Sequence, residues 1–289
     1  VIRASGPLPP GVAGFEDKPP LYAFDLPRAR ALLAEAGYPE GRDPATGRRL
    51  ILKLDVGRPN DPEMRASVEL MAGFFDRIGV MLEPVQGEGG VIIPDDGYLA
   101  RVREICDRHK LLMIVDEVQT GIGRTGKLFA YEYSGIEPDI MTLAKALGNG
   151  FPVGAMLATD EVARAFAPGN HASTFGGNPL AMAAVRATLK TILDDEILEN
   201  CLETGAYFLE KLQKLKARHN IITEVRGRGM MLACSLSIEG AQIVAKCQEE
   251  GLLINCTGGK TLRFVPPLII TRQDVDEALY ILDDVMEGI

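Results

Sequence analysis

The fold class follows from residues 111–159, which read LLMIVDEVQTGIGRTGKLFAYEYSGIEPDIMTLAKALGNGFPVGAMLAT. This stretch contains three apolar runs, LLMIVDE, DIMTLA and VGAMLAT, and a fourth run, VMLEPVQ, precedes it. Short apolar runs bounded by turn residues are typical of buried strands. Patterns typical of helices, over Gly97–His109 and Asn178–Leu193, alternate with these runs. The sequence therefore predicts an α/β fold built on a mostly parallel sheet.

The C-terminal part of the chain has a different pattern. An amphipathic helical region over Glu196–His219 is followed by alternating strands and helices, including the apolar runs MMLACSLS and TLRFVPPL. This pattern predicts a smaller α+β domain over residues 196–289, after a larger domain over residues 81–195.

Residues 1–80 differ in composition from the rest of the chain. They hold ten of the 18 prolines, no cysteine, and eleven basic against eleven acidic residues, so residues 81–289 carry the whole net charge of -9. A Pro/Gly-rich loop at Gly6–Pro20 is followed by a predicted helix at Pro27–Ala36, a strand at Leu50–Val56 and a helix at Pro62–Ile78. We interpret this segment as a separate N-terminal α+β fragment.

Charge and cysteine content exclude several classes of function. A net charge of -9 and a pI near 5.0 argue against nucleic-acid and membrane partners, since both require a basic face. No apolar run is long enough to span a membrane. Five cysteines without a CxxC pair disfavour a disulfide framework and a structural zinc site. These features favour a cytoplasmic protein that acts on small molecules.

Polar residues follow three of the predicted strands, where parallel sheets bind their ligands. They are Glu88, then Asp116 with Gln119, and Lys145. An aspartate that ends a buried strand needs a positive partner, and a protonated pyridine nitrogen is one. A lysine at the next strand end could bind a cofactor aldehyde covalently and then act as a general base. Taken alone, Lys145 could also be solvated, and Asp116 could cap a turn.

The same stretch resembles the class-III pyridoxal-phosphate-dependent aminotransferases, particularly the acetylornithine and ornithine group. The resemblance rests on residues 115–156, on EPVQGEGGVIIPDDGYL before them, and on HASTFGGNPLAMAA and TLRFVPPLIIT after them. It spans about residues 81–289, roughly the C-terminal half of such an enzyme. It implies a fold-type-I transferase that uses pyridoxal 5'-phosphate to transaminate between an ω-amino acid, such as acetylornithine or ornithine, and 2-oxoglutarate.

The resemblance also implies roles for individual residues at the cofactor. Lys145 would form the Schiff base, Asp116 would pair with the pyridinium nitrogen, and Gln119 would contact the phenolic oxygen. Thr174 would bind the cofactor phosphate in the partner subunit, which makes a homodimer part of the chemistry. The alternative for Thr174 is a local turn hydrogen bond.

Two further residues would bind the substrate. The resemblance implies that Arg263 holds a substrate carboxylate through its planar fork. Glu88 would pair with Arg263 whenever the substrate presents an amino group there. The alternatives are a surface ion pair for Arg263 and a helix cap for Glu88.

Two alternatives concern whole segments. Residues 121–126, GIGRTG, fit a dinucleotide-binding pattern, but no convincing helix follows them and no acidic residue is placed to bind a ribose. Residues 1–80 resemble a fragment of the family 5 extracellular solute-binding proteins. The N-terminal half of an aminotransferase, with its phosphate-binding turn, is not recognisable in this sequence. An inactive chimera or a ligand-binding module is therefore the alternative to an active transaminase.

Overall fold

The computed structural model describes residues 79–289. The two helices and the strand of the predicted solute-binding-protein-like fragment lie outside the described residues, and its last two residues, Gly79 and Val80, begin the first strand.

The described residues form eight strands, six α-helices and two 3-10 helices. The strands are β1 (Gly79–Leu82), β2 (Leu112–Asp116), β3 (Ile140–Leu143), β4 (Ala155–Ala158), β5 (Ile222–Arg228), β6 (Met231–Leu236), β7 (Asn255–Thr257) and β8 (Thr261–Phe264). The α-helices are α1 (Tyr98–His109), α2 (Asp160–Ala163), α3 (Pro179–Asp194), α4 (Ile197–Arg218), α5 (Ala241–Glu249) and α6 (Arg272–Glu287). The 3-10 helices cover Ala130–Ser134 and Lys145–Gly148.

The three long helices that the sequence pattern predicted are confirmed. α1, α3 and α4 each begin one residue after the predicted start, because Gly97, Asn178 and Glu196 are their N-cap residues. The Asn178 side chain accepts a hydrogen bond from the Ala181 amide at 2.9 Å, and proline occupies the first position of α3. Both features are typical of a helix start.

The first sheet has the strand order β1-β2-β3-β4. β1, β2 and β3 are parallel, and β4 pairs with β3 in the antiparallel sense. Helix α1 connects β1 to β2, and its buried residues Leu99 and Cys106 pack with Met113 and Val115 of β2. The mostly parallel sheet is therefore confirmed, with one antiparallel strand in addition.

Two expectations about these strands were wrong. We predicted a strand through residues 80–86, but β1 ends at Leu82. Pro84 lacks a backbone donor, and the Glu83 carboxylate accepts a hydrogen bond from the Gly87 amide at 2.7 Å, which turns the chain away from the sheet. Glu88 consequently lies on a turn closed by paired hydrogen bonds between Gln86 and Ile92.

The second expectation concerned β4, which we predicted to be a buried strand. It lies at an edge of the described sheet, and Met156 and Leu157 are 49% and 45% exposed. These two neighbours point to opposite faces of the strand, so neither face is covered by the described residues.

The second sheet has the order β5-β6-β8-β7 and is antiparallel throughout. Alternate residues of β6 face opposite sides of it. Leu232, Cys234 and Leu236 pack against α4, α5 and α6, where the largest core cluster of the described residues lies. Met231 and Ala233 face the other way and pack against the turn that follows β1. The second sheet is thus covered by helices on one face and by the Glu88 turn on the other.

Within residues 79–289, no helix is both long and apolar enough to cross a lipid bilayer.

Candidate active site

Lys145 is separated from the end of β3 by one residue, Ala144, and begins a short 3-10 helix. Its φ of 46° lies in the left-handed region, which costs a residue with a side chain about 1–3 kcal/mol. The side chain is exposed, and among the described residues the amine has no hydrogen-bond or ion-pair partner. The fold therefore holds, near a strand end, an amine that is unpaired among residues 79–289 and whose backbone is strained.

Asp116 is the last residue of β2 and lies beside Thr142 of β3. Lys145 comes three residues after Thr142, so both residues stand at the carboxyl end of adjacent parallel strands, as predicted. One carboxylate oxygen of Asp116 accepts a hydrogen bond from the Val118 amide at 2.9 Å. The Thr142 hydroxyl beside it is buried without a hydrogen-bond partner among the described residues.

Glu117, which the sequence analysis did not select, directly follows Asp116 and is buried. Its carboxylate accepts hydrogen bonds from the Thr120 hydroxyl and from the Tyr131 amide. Burial raises the pKa of the Glu117 carboxyl, although these hydrogen bonds oppose the shift. Glu117 thus joins the loop after β2 to the 3-10 helix at Ala130–Ser134. The sequence signal that could have identified Glu117 is its place directly after the aspartate that ends the strand.

Glu88, Gln119 and Arg263 lie together although they are far apart in sequence. One guanidinium nitrogen of Arg263 lies 2.5 Å from the Glu88 carboxylate and 3.3 Å from the Gln119 side-chain oxygen. Gly87 leaves space for this arrangement, since a Cβ there would lie 2.4 Å from that Gln119 oxygen. The Arg263 side chain is only 10% exposed, whereas that of Glu88 is 46% exposed. The arginine is therefore fixed and the carboxylate faces solvent.

Thr174 is exposed in the segment that precedes α3. No hydrogen bond within residues 79–289 joins it to the other five predicted site residues. The structure thus brings Glu88, Gln119 and Arg263 together and places Asp116 and Lys145 on neighbouring strands, while Thr174 stands apart.

The GIGRTG loop is packed against protein and does not form an open phosphate cradle. A Cβ at Gly126 would lie 2.2 Å from Leu202 of α4, and one at Gly123 would lie 3.0 Å from Leu198. Arg124 donates hydrogen bonds to the carbonyl oxygens of Met230 at 3.1 Å and Pro266 at 2.5 Å. Desolvation lowers the pKa of this guanidinium. The loop therefore joins the first sheet to the second.

The residues at these two strand ends fit pyridoxal phosphate. Lys145 offers for covalent attachment an amine that has no partner in the described part of the chain. Asp116 accepts one backbone hydrogen bond on one oxygen, and its second oxygen can accept a proton donor such as a pyridinium nitrogen. Within the described range, no group of three or more His, Cys, Asp or Glu side chains is arranged to hold a metal ion.

Comparison with known proteins finds a family match over most of the chain. The family model described as aminotransferase class-III matches residues 75–286. The match begins at residue 75, whereas we placed the start of the resemblance at about residue 81.

Curated relatives share high identity with this part of the chain. Acetylornithine aminotransferase from Caldanaerobacter subterraneus is 54% identical over 211 residues, which are 73% of this chain and 53% of the relative. Acetylornithine aminotransferase from Methanocaldococcus jannaschii is 48% identical over 212 residues, which are again 73% and 53%. The chain therefore spans about half the length of the curated relatives it matches.

Solved structures show the same fold. Ornithine delta-aminotransferase from Plasmodium falciparum matches with a TM-score of 0.71 and 37% identity, over 76% of this chain and 60% of that one. N-acetylornithine aminotransferase from Stenotrophomonas maltophilia matches with a TM-score of 0.66 and 41% identity, over 77% and 60%. The described residues thus have an aminotransferase fold.

Proposed function

The chain belongs to the class-III aminotransferases, a family that depends on pyridoxal phosphate, and from that premise we propose that it takes part in transamination. The proposed donor is an ω-amino acid such as acetylornithine or ornithine, and the proposed acceptor is 2-oxoglutarate. The observation that carries this proposal is the placement of Lys145 and Asp116 at the ends of adjacent parallel strands.

Pyridoxal phosphate, when bound, supplies an electron sink for the carbanion that forms at the substrate carbon. Asp116 would hold the proton on the ring nitrogen through its second carboxylate oxygen, which keeps that electron sink effective. The Lys145 amine would bind the cofactor aldehyde and, once displaced by substrate, would move the proton to and from the substrate carbon. Gln119 would orient the ring by a contact to its phenolic oxygen.

Arg263 and Glu88 would select the far end of the substrate. The Arg263 fork, which is 10% exposed, can bind a carboxylate of 2-oxoglutarate in place of Glu88. When the donor presents an amino group instead, Glu88 remains paired with Arg263 and neutralises it. The Arg263–Glu88 distance of 2.5 Å supports this exchange, because the pair is already formed without substrate.

The remaining parts of the proposal concern assembly and location. We place the large domain at residues 81–195 and the small domain at residues 196–289, and we propose a homodimer in which Thr174 binds the phosphate in the partner's site. The exposed position of Thr174 suits a residue that acts on a second chain. All five cysteines are free thiols, which suits the reducing cytoplasm.

The test is cofactor binding by Lys145. The full chain is mixed with pyridoxal phosphate, and the visible absorption of the lysine-bound cofactor is recorded for the wild type and for Lys145→Ala. We expect the band in the wild type and its loss in the variant. Alanine meets the same backbone strain as lysine at a φ of 46°, so the substitution changes the amine and not the fold.

The matched control is Lys190→Ala on α3, an exposed lysine that should leave the band unchanged. Glutamate formation from each amino donor with 2-oxoglutarate then measures turnover. A band that survives Lys145→Ala, or no band in any variant, would show that the proposed function is wrong.

A further inference from the structure

Two arginines of the second sheet face the Glu88 turn, residues 86–92. They lie on either side of Ala233. Arg226 of β5 is paired with Ala233 of β6, and Ala233 is paired with Arg263 of β8. Directly paired residues on neighbouring strands point to the same face of a sheet. Ala233 is fully buried there against Val85 and Val91, so the turn lies over the alanine and between the two arginines.

Arg226 binds the backbone of this turn. Its Nε donates hydrogen bonds to the carbonyl oxygens of Gly90 and Val91, both at 3.0 Å, and its Nη2 donates to the Gly90 oxygen at 2.5 Å. Its Nη1 is held on the second sheet by Glu224 at 2.8 Å and Ser235 at 2.7 Å. The Arg226 guanidinium is therefore held by the turn through Nε and Nη2 and by the second sheet through Nη1. It joins the turn to the sheet that carries Arg263.

The turn needs such support because its backbone is strained. Gly90 has a φ of 105° and Val91 a φ of 56°. A positive φ is unfavourable for a β-branched residue such as valine, and it persists only where the surrounding structure imposes it. The Arg226 hydrogen bonds fall on the carbonyl groups of these two residues. Arg226 thus stabilises the part of the turn that local propensity opposes.

The position of Glu88 depends on this conformation. Glu88 lies two residues before Gly90 in the same turn, and its side chain is 46% exposed. The only described ion pair of its carboxylate is with Arg263. If the turn relaxed, the entropy of the freed segment would oppose that ion pair.

We propose that Arg226 is a positioning residue that fixes the Glu88 turn opposite Arg263 and thereby sets the preference between an amino group and a carboxylate at the far end of the substrate. This inference rests on the proposed function of Glu88 and Arg263. Arg226 contacts neither reacting group, so it acts through the turn.

The direction of the effect follows from competition for Arg263. In the wild type, Glu88 and a ligand carboxylate compete for the same guanidinium. Loss of the Arg226 fork weakens the Glu88 pair, so a dicarboxylate should bind more tightly. A ligand with an amino group in that position should bind more weakly, because it needs Glu88 in place. If Arg226 only supported the structure, its loss would weaken the binding of both ligands.

The experiment compares Arg226→Met with Arg228→Met in the full chain. Arg228 lies on the same strand and its guanidinium stacks on the Tyr133 ring, 4.6 Å from the ring centre, so it is a matched control. Amide hydrogen exchange over residues 86–92 reports the turn without any ligand. Calorimetric dissociation constants for glutarate and for 5-aminopentanoate report the preference. Glu88→Gln and the double variant complete the set.

We expect Arg226→Met to accelerate exchange over residues 86–92 by roughly tenfold or more, the effect of removing hydrogen bonds from a charged donor. Glutarate should bind several-fold more tightly and 5-aminopentanoate several-fold more weakly, as in Glu88→Gln. The double variant should match Glu88→Gln, because Arg226 acts only through Glu88. Arg228→Met should leave these quantities at wild-type values.

Two contrary results have different meanings. In the first result, Glu88→Gln shifts both affinities, but Arg226→Met shifts neither affinity or shifts both in the same direction. The inference about Arg226 is then wrong and the proposed function stands. If Glu88→Gln itself changes neither affinity, the proposed substrate pocket is wrong, and the role of Arg226 in substrate preference is refuted with it. Unchanged hydrogen exchange in Arg226→Met refutes the inference on its own.

Discussion

Helix α4 crosses the turn between β5 and β6 with almost no space between the two backbones. A Cβ added at Gly205 of α4 would lie 2.3 Å from the Gly229 carbonyl oxygen. Gly229 in turn has a φ of 56°, and a Cβ there would lie 2.4 Å from the Thr125 carbonyl carbon. Three segments therefore meet through backbone atoms, and Gly205→Ala must push at least two of them apart.

The magnitude follows from two opposing effects. Alanine is favoured over glycine in a helix interior by about 1 kcal/mol. Overpacking of a tight contact costs about 1–3 kcal/mol, and here the upper part of that range applies because the opposing atoms are backbone and cannot change rotamer. Ordinary contact needs 3.4 Å or more, against the 2.3 Å available. We expect Gly205→Ala to lower the free energy of unfolding by about 1–2 kcal/mol.

Urea unfolding followed by circular dichroism measures this difference. Ala206→Gly is the matched control, because this neighbour on α4 is exposed and loses only the helix preference, about 1 kcal/mol. One variant replaces glycine by alanine and the other replaces alanine by glycine, yet both should lower the free energy of unfolding. A Gly205→Ala protein as stable as the wild type, or more stable, would refute the argument from close packing.

The remaining predictions concern a buried acid and a helix cap. Burial raises the pKa of Glu117 in the folded state, so the folded protein binds more protons and stability should fall as pH rises from the unfolded pKa through the raised one. Glu117→Gln should remove this slope from unfolding curves measured across that range, and an unchanged slope would contradict it. Thr271 caps α6 by accepting the Asp274 amide, so Thr271→Ala should cost about 1 kcal/mol in urea unfolding. Thr271→Ser should remain near the wild type, and equal losses in both variants would exclude the hydroxyl as the cause.

The positions of Lys145 and Asp116 could be predicted from sequence because each depends on local pattern. An apolar run followed by a polar residue marks a strand end, and adjacent parallel strands bring their ends together. The starts of α1, α3 and α4 were predictable to within one residue, because helical periodicity is also a local pattern. The early end of β1 could also have been anticipated, since Pro84 stands inside the apolar run.

The exposed state of β4 could not be predicted in this way. Met156 and Leu157 have the composition of a buried strand, and composition does not say whether a strand lies at the centre or at the edge of a sheet. Only the strand order places β4 at the edge of the described sheet.

The sequence by itself determined the fold class, the amine at Lys145 and the carboxylate at Asp116, because local periodicity and strand ends are short-range properties. The family resemblance implied that Glu88 pairs with Arg263, a residue 175 positions away, but only the tertiary structure brings the two together and shows that Arg226 holds the turn that carries Glu88. That contact depends on the register of β5, β6 and β8, on the small side chain of Ala233 and on a positive φ at Val91. Local propensity opposes the last of these, so no pattern in the sequence could have predicted it.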